Sequence, residues 1–332
     1  MSDRSADLSL SPYYHPTTIC FVDDNAPFLQ SLELELPGDW ACRTFTEPEA
    51  ALAYLREPIP LAPLMDRCFS LQRSSGSALI HLDLGLIEQE IRHIDRFRRN
   101  SVLVVDYSMP SMNGLQLCEA LDDPHIRKAM LTGVADEKLA VQAFNAGLIH
   151  RFIPKQVDDP INLIHQFVDE LVHDYFNQYS VRLKSTLALN PPAFLTDVHI
   201  ARWIHDLMHR ERLVEYYLVD DPPGLLMLKT NGEIWRVAIL SQEDRQTQHD
   251  LAARFGAPKQ ILNALDKGTL TVFLTGLSPE DYFGDEDFPW DEQTQPATRI
   301  SEQWTIAIWK DAPGDIDFDP RTASYDAYLR TL

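Results

Sequence analysis

Five side chains that could do chemistry together each close a short apolar run. Asp23 and Asp24 follow "TTICFV", Asp106 follows "SVLVV", Thr132 ends "KAMLT" and Lys155 ends "LIHRFIP". Runs of this kind read as strands covered on both faces, the condition of a parallel sheet. Such sheets open their crevice at the carboxyl ends of the strands, so all five residues are expected on one rim. Three carboxylates crowded there repel one another, and a hard divalent cation with oxygen ligands, Mg²⁺ with several waters retained, relieves the repulsion. A cation so held bridges to phosphate oxygens, a lysine ammonium adds a second positive charge, and a threonine hydroxyl adds a hydrogen bond. The set is suited to placing a phosphoryl group on a carboxylate, with Asp106 as acceptor.

The elements that must position these groups follow from periodicity. "TTICFVDDN", "WACRTF", "SVLVVD", "KAMLTG" and "LIHRFIPK" are expected strands. Between them lie helical patterns: one reaching Leu36, "EPEAALAYLRE" with proline near its start, "NGLQLCEAL", and "ADEKLAVQAFNAG" closed by Gly147. Regular alternation of this kind predicts a doubly wound α/β domain, a five-stranded parallel sheet with helices on both faces.

With these residues in place, the first domain resembles the flavodoxin-like receiver domain of bacterial two-component response regulators. The family motif Asp-x-x-Met-Pro-x-Met-Asn-Gly stands here as Asp106, Met109, Pro110, Met112, Asn113 and Gly114. The resemblance spans about residues 17–180, interrupted by one insertion. It implies that Asp106 accepts a phosphoryl group from a sensor histidine kinase or a histidine phosphotransfer protein. Asp24, Asp106 and the Ser108 carbonyl would ligate Mg²⁺, with Asp23 acting mainly through water. Thr132 and Lys155 would bind phosphoryl oxygens, and Phe152 matches the family's aromatic switch position. Two departures stand out. Pro154 precedes Lys155, where the family places a proline after the lysine, and about 40 residues separate "YLRE" from the strand at 101.

The expected organisation is a flexible N-terminus over 1–16, a receiver over 17–160 with a helical insertion at about 58–100, a helical connector over 161–190 and an α+β output domain over 191–332. In the insertion, Leu84, Ile87, Ile91, Ile94 and Phe97 recur at helical spacing, which suggests one helix packed on its own receiver or offered to a partner. Ile161, Ile164, Val168, Leu171 and Tyr175 step by three and four, as in a coiled coil whose first turns must pack on the receiver sheet and whose remainder dimerises or lies on the second domain.

Beyond Pro192, a helix, the strands "EYYLV", "LLMLK" and "IWRVAILS" with an Asn-Gly hairpin cue, two further helices and the strands "TLTVFLT" and "EQWTIAIW" predict an antiparallel sheet. It weakly resembles the uncharacterised C-terminal domain of some response regulators, which implies no activity. Tyr216, Tyr217, Trp235, Trp304 and Trp309 are expected in the sheet core. Residues 246–268 have helix-turn-helix spacing, and Lys259, Gln260, Asn263 and Lys267 are the candidate DNA contacts in a transcription-factor alternative. "FGDEDF" at 283–288 lacks the doubled glycine of a diguanylate cyclase, and His205-Asp206 and His249-Asp250 lack further clustered metal ligands.

Composition bounds the partners. The 332 residues carry 50 acids against 29 bases, a formal charge of -21, which opposes nucleic acid and anionic membranes. Cys20, Cys42, Cys68 and Cys118 form no metal or CxxC pattern and are expected as reduced core thiols of a cytoplasmic protein. No secretory signal or membrane span is expected, and no dedicated enzyme beyond receiver self-phosphotransfer and autodephosphorylation.

Overall fold

A two-residue strand, β1 (Tyr13–Tyr14), is followed by β2 (Thr18–Val22), α1 (Ala26–Glu35), β3 (Ala41–Phe45) and α2 (Pro48–Leu55). The chain then makes a detour through α3 (Leu64–Cys68), the hairpin β4 (Phe69–Ser74) and β5 (Ser77–Leu82), and α4 (Leu84–Gln89). Alternation resumes with β6 (Asn100–Asp106), α5 (Gly114–Ala120), β7 (Arg127–Thr132), α6 (Glu137–Asn145), β8 (Arg151–Pro154) and α7 (Pro160–Ser185). The computed structural model describes residues 9–74, 77–133, 136–185, 192–273, 290–310 and 316–332. The expected "FGDEDF" segment and the end of the expected connector, 186–190, lie outside these residues, as do the first eight of the expected flexible N-terminus.

The parallel sheet has five strands in the order β3-β2-β6-β7-β8. Successive residues of a strand face opposite sides, so one strand feeds two cores. Cys20, Val22, Leu103, Val105 and Met130 pack with Leu117 and Ala140 on one face. Ile19, Phe21, Val102, Val104 and Leu131 pack with Leu29, Leu32, Ile164 and Val168 on the other. Burial on both faces explains why these strands read as unbroken apolar runs.

The chain separates into two units, one of His15–Ala62, Ile94–Val181 and Tyr328–Leu332, and the other including Pro63–His93 and Arg182–Ala327. This corrects the expected boundaries. The insertion is not one helix on the receiver: α4 lies along the output strand β9 (Leu213–Val219), with Ile87 and Ile91 fully buried. The pattern breaks at His93, whose backbone is extended (φ -99°, ψ 104°). Beyond it, Phe97 packs in the receiver unit against His15 and Tyr328. The apolar stripe serves two cores, so no continuous helix can carry it. Nor is it free for a partner.

The connector also differs. Ile164, Val168 and Leu171 of α7 are buried in the receiver core, and Tyr175 is 6% exposed. Packing of Ile164, Val168 and Leu171 on the receiver's own sheet accounts for the periodicity over this part of the helix.

The second unit adds α8 (Val198–Glu211), β9, β10 (Gly224–Lys229), β11 (Ile234–Leu240), α9 (Gln242–Arg254), α10 (Lys259–Asp266), β12 (Leu270–Val272), β13 (Thr294–Arg299) and β14 (Thr305–Trp309). Its sheet has seven strands, β1-β9-β10-β11-β14-β13-β12, with antiparallel pairings. The Asn-Gly cue is the β10–β11 turn, where Gly232 takes φ +87°. All five expected aromatic core residues are buried. Strand β1 pairs with β9, so part of the expected flexible N-terminus is built into this sheet.

Within the receiver unit His15 is 2% exposed, with Phe97 and Phe176 edge-on to its ring. Burial lowers its pKa from 6.5 to about 3, against a raising bond to the Pro16 carbonyl and with Arg96 and Arg99 lowering it further. The unfolded chain therefore takes up a proton first. Stability held by the neutral ring is complete above about pH 6.5 and is lost as pH falls toward about 3. Between about pH 7 and pH 5, urea melts of wild type should lose about 2 kcal/mol more than melts of His15→Leu. Parallel losses in the two proteins would refute this.

Candidate functional site

Strands β2 and β6 are neighbours at the point where strand order reverses, where a parallel sheet leaves a crevice at its carboxyl edge. Asp23 follows β2 directly and Asp106 is the last residue of β6. The Asp23 N–H donates to the Phe45 carbonyl at 3.1 Å, and its Oδ1 accepts the Asn25 N–H at 3.0 Å. Asn25 in turn caps α1 by accepting the Phe28 N–H. These bonds fix the turn that carries the acid pair. Asp23 is buried and Asp24 exposed.

Below Asp106 the backbone turns into α5. The Tyr107 N–H donates to Leu131, and the Gly114 N–H donates back to Tyr107 at 3.0 Å. A Cβ at position 114 would lie 2.4 Å from the Asp106 carbonyl oxygen, so only glycine lets α5 start this close to the acceptor strand. Asn113 caps that helix in a reciprocal box with Gln116. The Asn-Gly of the motif is thus the footing of Asp106.

Lys155 closes the site. Its Nζ lies 2.6 Å from Asp23 Oδ2 and 2.9 Å from Asp106 Oδ1, above the Phe28 ring. The missing proline at 156 does not misplace it, because the Lys155 N–H donates to the Thr132 carbonyl at 2.9 Å and ties the chain to β7. Burial raises the Asp23 pKa, Lys155 and the Asn25 N–H oppose the rise, and the Asp106 charge adds to it. For Lys155 burial acts downward, yet its bonds to Asp23 and Asp106 prevail and hold the ammonium above its ordinary value.

Carboxylate oxygens of Asp23, Asp24 and Asp106 all lie within 4.8 Å of one another. Three acids share one lysine there, and every donor is a hard oxygen, which suits Mg²⁺. Thr132 is buried at the end of β7, and its Oγ1 has no hydrogen-bond partner. An idle hydroxyl in a dry position fits a group arriving to accept its proton. Phe152 is half-buried on β8 and meets Phe144 edge-on at 6.3 Å. Ser108 is exposed.

The solved structure of the response regulator LqsR of Legionella pneumophila is 32% identical to this chain. It covers 98% of this chain and 97% of its own, with a TM-score of 0.77. The chain belongs to the response regulators. Residues 87–167 match the response regulator receiver domain, a match that begins within the insertion. The transcriptional regulatory protein FixJ of Rhizobium meliloti is 40% identical over 65 residues, 19% of this response regulator and 31% of FixJ. Receivers of this family bind Mg²⁺ through an acidic pocket and work with a histidine kinase or phosphotransfer partner, and this response regulator has such a cluster of aspartates.

Other sequence candidates do not join the site. Lys259, Gln260, Asn263 and Lys267 are exposed on or just after α10, whose apolar side packs with α9, Val272 and Trp290. His249 is near Asp250 and Asp266, at 3.3 and 3.5 Å. Gly114 and Asn113 were visible as motif letters, whereas the roles of Asn25 and Phe28 carried no signal beyond a capping residue before a helix. Lys128 was not foreseen: its buried Nζ donates to the Cys118 and Leu121 carbonyls at the end of α5. Among the described residues no helix is long and apolar enough to cross a membrane.

Proposed function

We propose that this response regulator is a cytoplasmic phosphoreceiver in which Asp106 accepts a phosphoryl group from a histidine kinase or histidine phosphotransfer protein. The convergence of Asp23, Asp24, Asp106 and Lys155 carries the proposal. An Asp106 oxygen forms a bond to phosphorus while the bond from phosphorus to the donor imidazole breaks, its electron pair returning to the ring nitrogen. Lys155 balances charge on the acceptor and the arriving oxygens. The Thr132 hydroxyl donates to a phosphoryl oxygen, and Phe152 turns inward as Thr132 shifts. Asp24, Asp106 and the Ser108 carbonyl would hold Mg²⁺, with Asp23 acting through water, and the ion would supply neutralisation of phosphoryl charge. The switched receiver passes its bias along the chain through α7 to a protein- or ligand-binding output unit.

Treatment of the full chain with acetyl phosphate and Mg²⁺ should add one phosphoryl group, located on Asp106 by reductive trapping and peptide mass. No adduct, or an adduct on another residue, would reject the proposal.

A further inference from the structure

The receiver unit also holds a cavity of about 400 Å³. Its walls include Arg43 and Phe45 of β3, Tyr54 of α2, Arg98, and Tyr328 and Thr331 near the C-terminus. A volume of this size falls at the lower end of ordinary small-molecule sites.

The charges in it are poorly matched. Arg43 Nε is buried without a hydrogen-bond partner, and Nη1 reaches a main-chain oxygen of Leu332, the last residue, at a long 3.4 Å. Among the described residues no side-chain carboxylate pairs with this guanidinium. Arg98 is 3.3 Å from Asp95 and 3.9 Å from Glu57, and Glu57, which also lines the cavity, is 64% exposed. A buried donor left idle is costly, and a guanidinium is a planar fork suited to two oxygens of one anion. Beside it the Phe45 and Tyr54 rings, 5.2 Å apart, supply an apolar wall.

We propose that this cavity binds a small organic anion, a carboxylate or a phosphate monoester, whose oxygens meet Arg43 with Arg98 beside them and whose flat body rests on Phe45 and Tyr54. The net charge of -21 repels anions elsewhere, so saturable binding identifies a local site.

The test is calorimetric titration of full-length Asp106→Asn, without Mg²⁺, with benzoate and with phenyl phosphate. The asparagine background separates this site from the phosphoacceptor, so neither proposal falls with the other. At least one anion should bind saturably. Added Arg43→Gln should weaken binding about tenfold or more, Arg43→Lys less, and Arg98→Gln least. The relative strength of the two probes tells carboxylate from phosphate. If Arg43→Gln fails to fold, the Arg43 Nε–H resonance of the parent decides: a shift that saturates with the anion supports the site, and an unmoved resonance overturns it. Absence of saturation by both anions, or undiminished affinity in a folded Arg43→Gln, also overturns it.

Discussion

Methionine in place of Lys155 should slow phosphoryl transfer to Asp106 and destabilise the receiver unit, and Mg²⁺ should restore much of the stability but not the rate. Among the described residues the ammonium is the one cation within 3 Å of both Asp23, 1% exposed, and Asp106, 8% exposed. Removing one partner from a buried ion pair costs about 3–5 kcal/mol, and because Lys155 itself is 28% exposed the loss here should be nearer 2–3 kcal/mol. Transfer should slow about a hundredfold or more, the scale of losing one preorganised charge from a reacting centre. Mg²⁺ at the three aspartates binds the folded state alone, so it should raise the urea midpoint of the variant more than that of wild type.

Acid should help the variant in the same way. A carboxyl whose folded pKa is raised favours folding at low pH and loses that contribution as pH rises through the folded value, and removal of Lys155 raises Asp23 further. The deficit of the variant should therefore shrink below neutrality. In wild type the raised Lys155 pKa keeps the ammonium charged throughout the neutral range. Transfer at the wild-type rate in a folded Lys155→Met, or a deficit indifferent to both Mg²⁺ and acid, would mean that the lysine is not the counter-charge of the site.

The receiver was legible because β2, β6 and β7 are buried on both faces and lead into Asp23, Asp106 and Thr132. Asp23, Asp106, Thr132 and Lys155 could be assigned to one rim from strand ends alone. The presentation of Lys155 could not, since it depends on a backbone bond to Thr132 that no pattern announces. In the output unit, alternation showed β9, β10 and β11, and the Asn-Gly pair showed their turn. Strand β13 escaped notice: it contains Pro296 and mostly polar residues, and it exists because β14 and β12 pair on either side of it. Strand β1 is two tyrosines long, too short for any periodicity.

The stripes of the insertion and of α7 expose a different limit. Period tells that Ile87 and Ile91, or Ile164 and Val168, must be covered, but not by what. In α7 the cover of Ile164, Val168 and Leu171 is the parallel sheet. In the insertion the cover changes partway along, at His93, because the chain leaves one unit for the other there.

Replacing residues 63–93 by a flexible glycine-serine linker should therefore unfold the output unit and spare the receiver. The segment contributes fully buried Ile87 and Cys68, with Leu64, Met65 and Ile91 at 4% exposure or less. It also holds the ion pair between Arg67 and the buried Glu90. Each large apolar side chain withdrawn from water is worth about 1.5–3 kcal/mol, so their joint loss rivals the whole stability of a domain, about 5–15 kcal/mol. Strand β9 would lose the helix that lies along it. Hydrogen exchange should show protection lost across β9, β10 and β11 and kept in β2, β6 and β7, with phosphorylation of Asp106 retained. An insertion belonging to the receiver would give the opposite map, exchange rising in β2 and β6 while the antiparallel sheet stayed closed. The two outcomes differ in which set of amides opens, so general destabilisation by the linker cannot imitate the expected one.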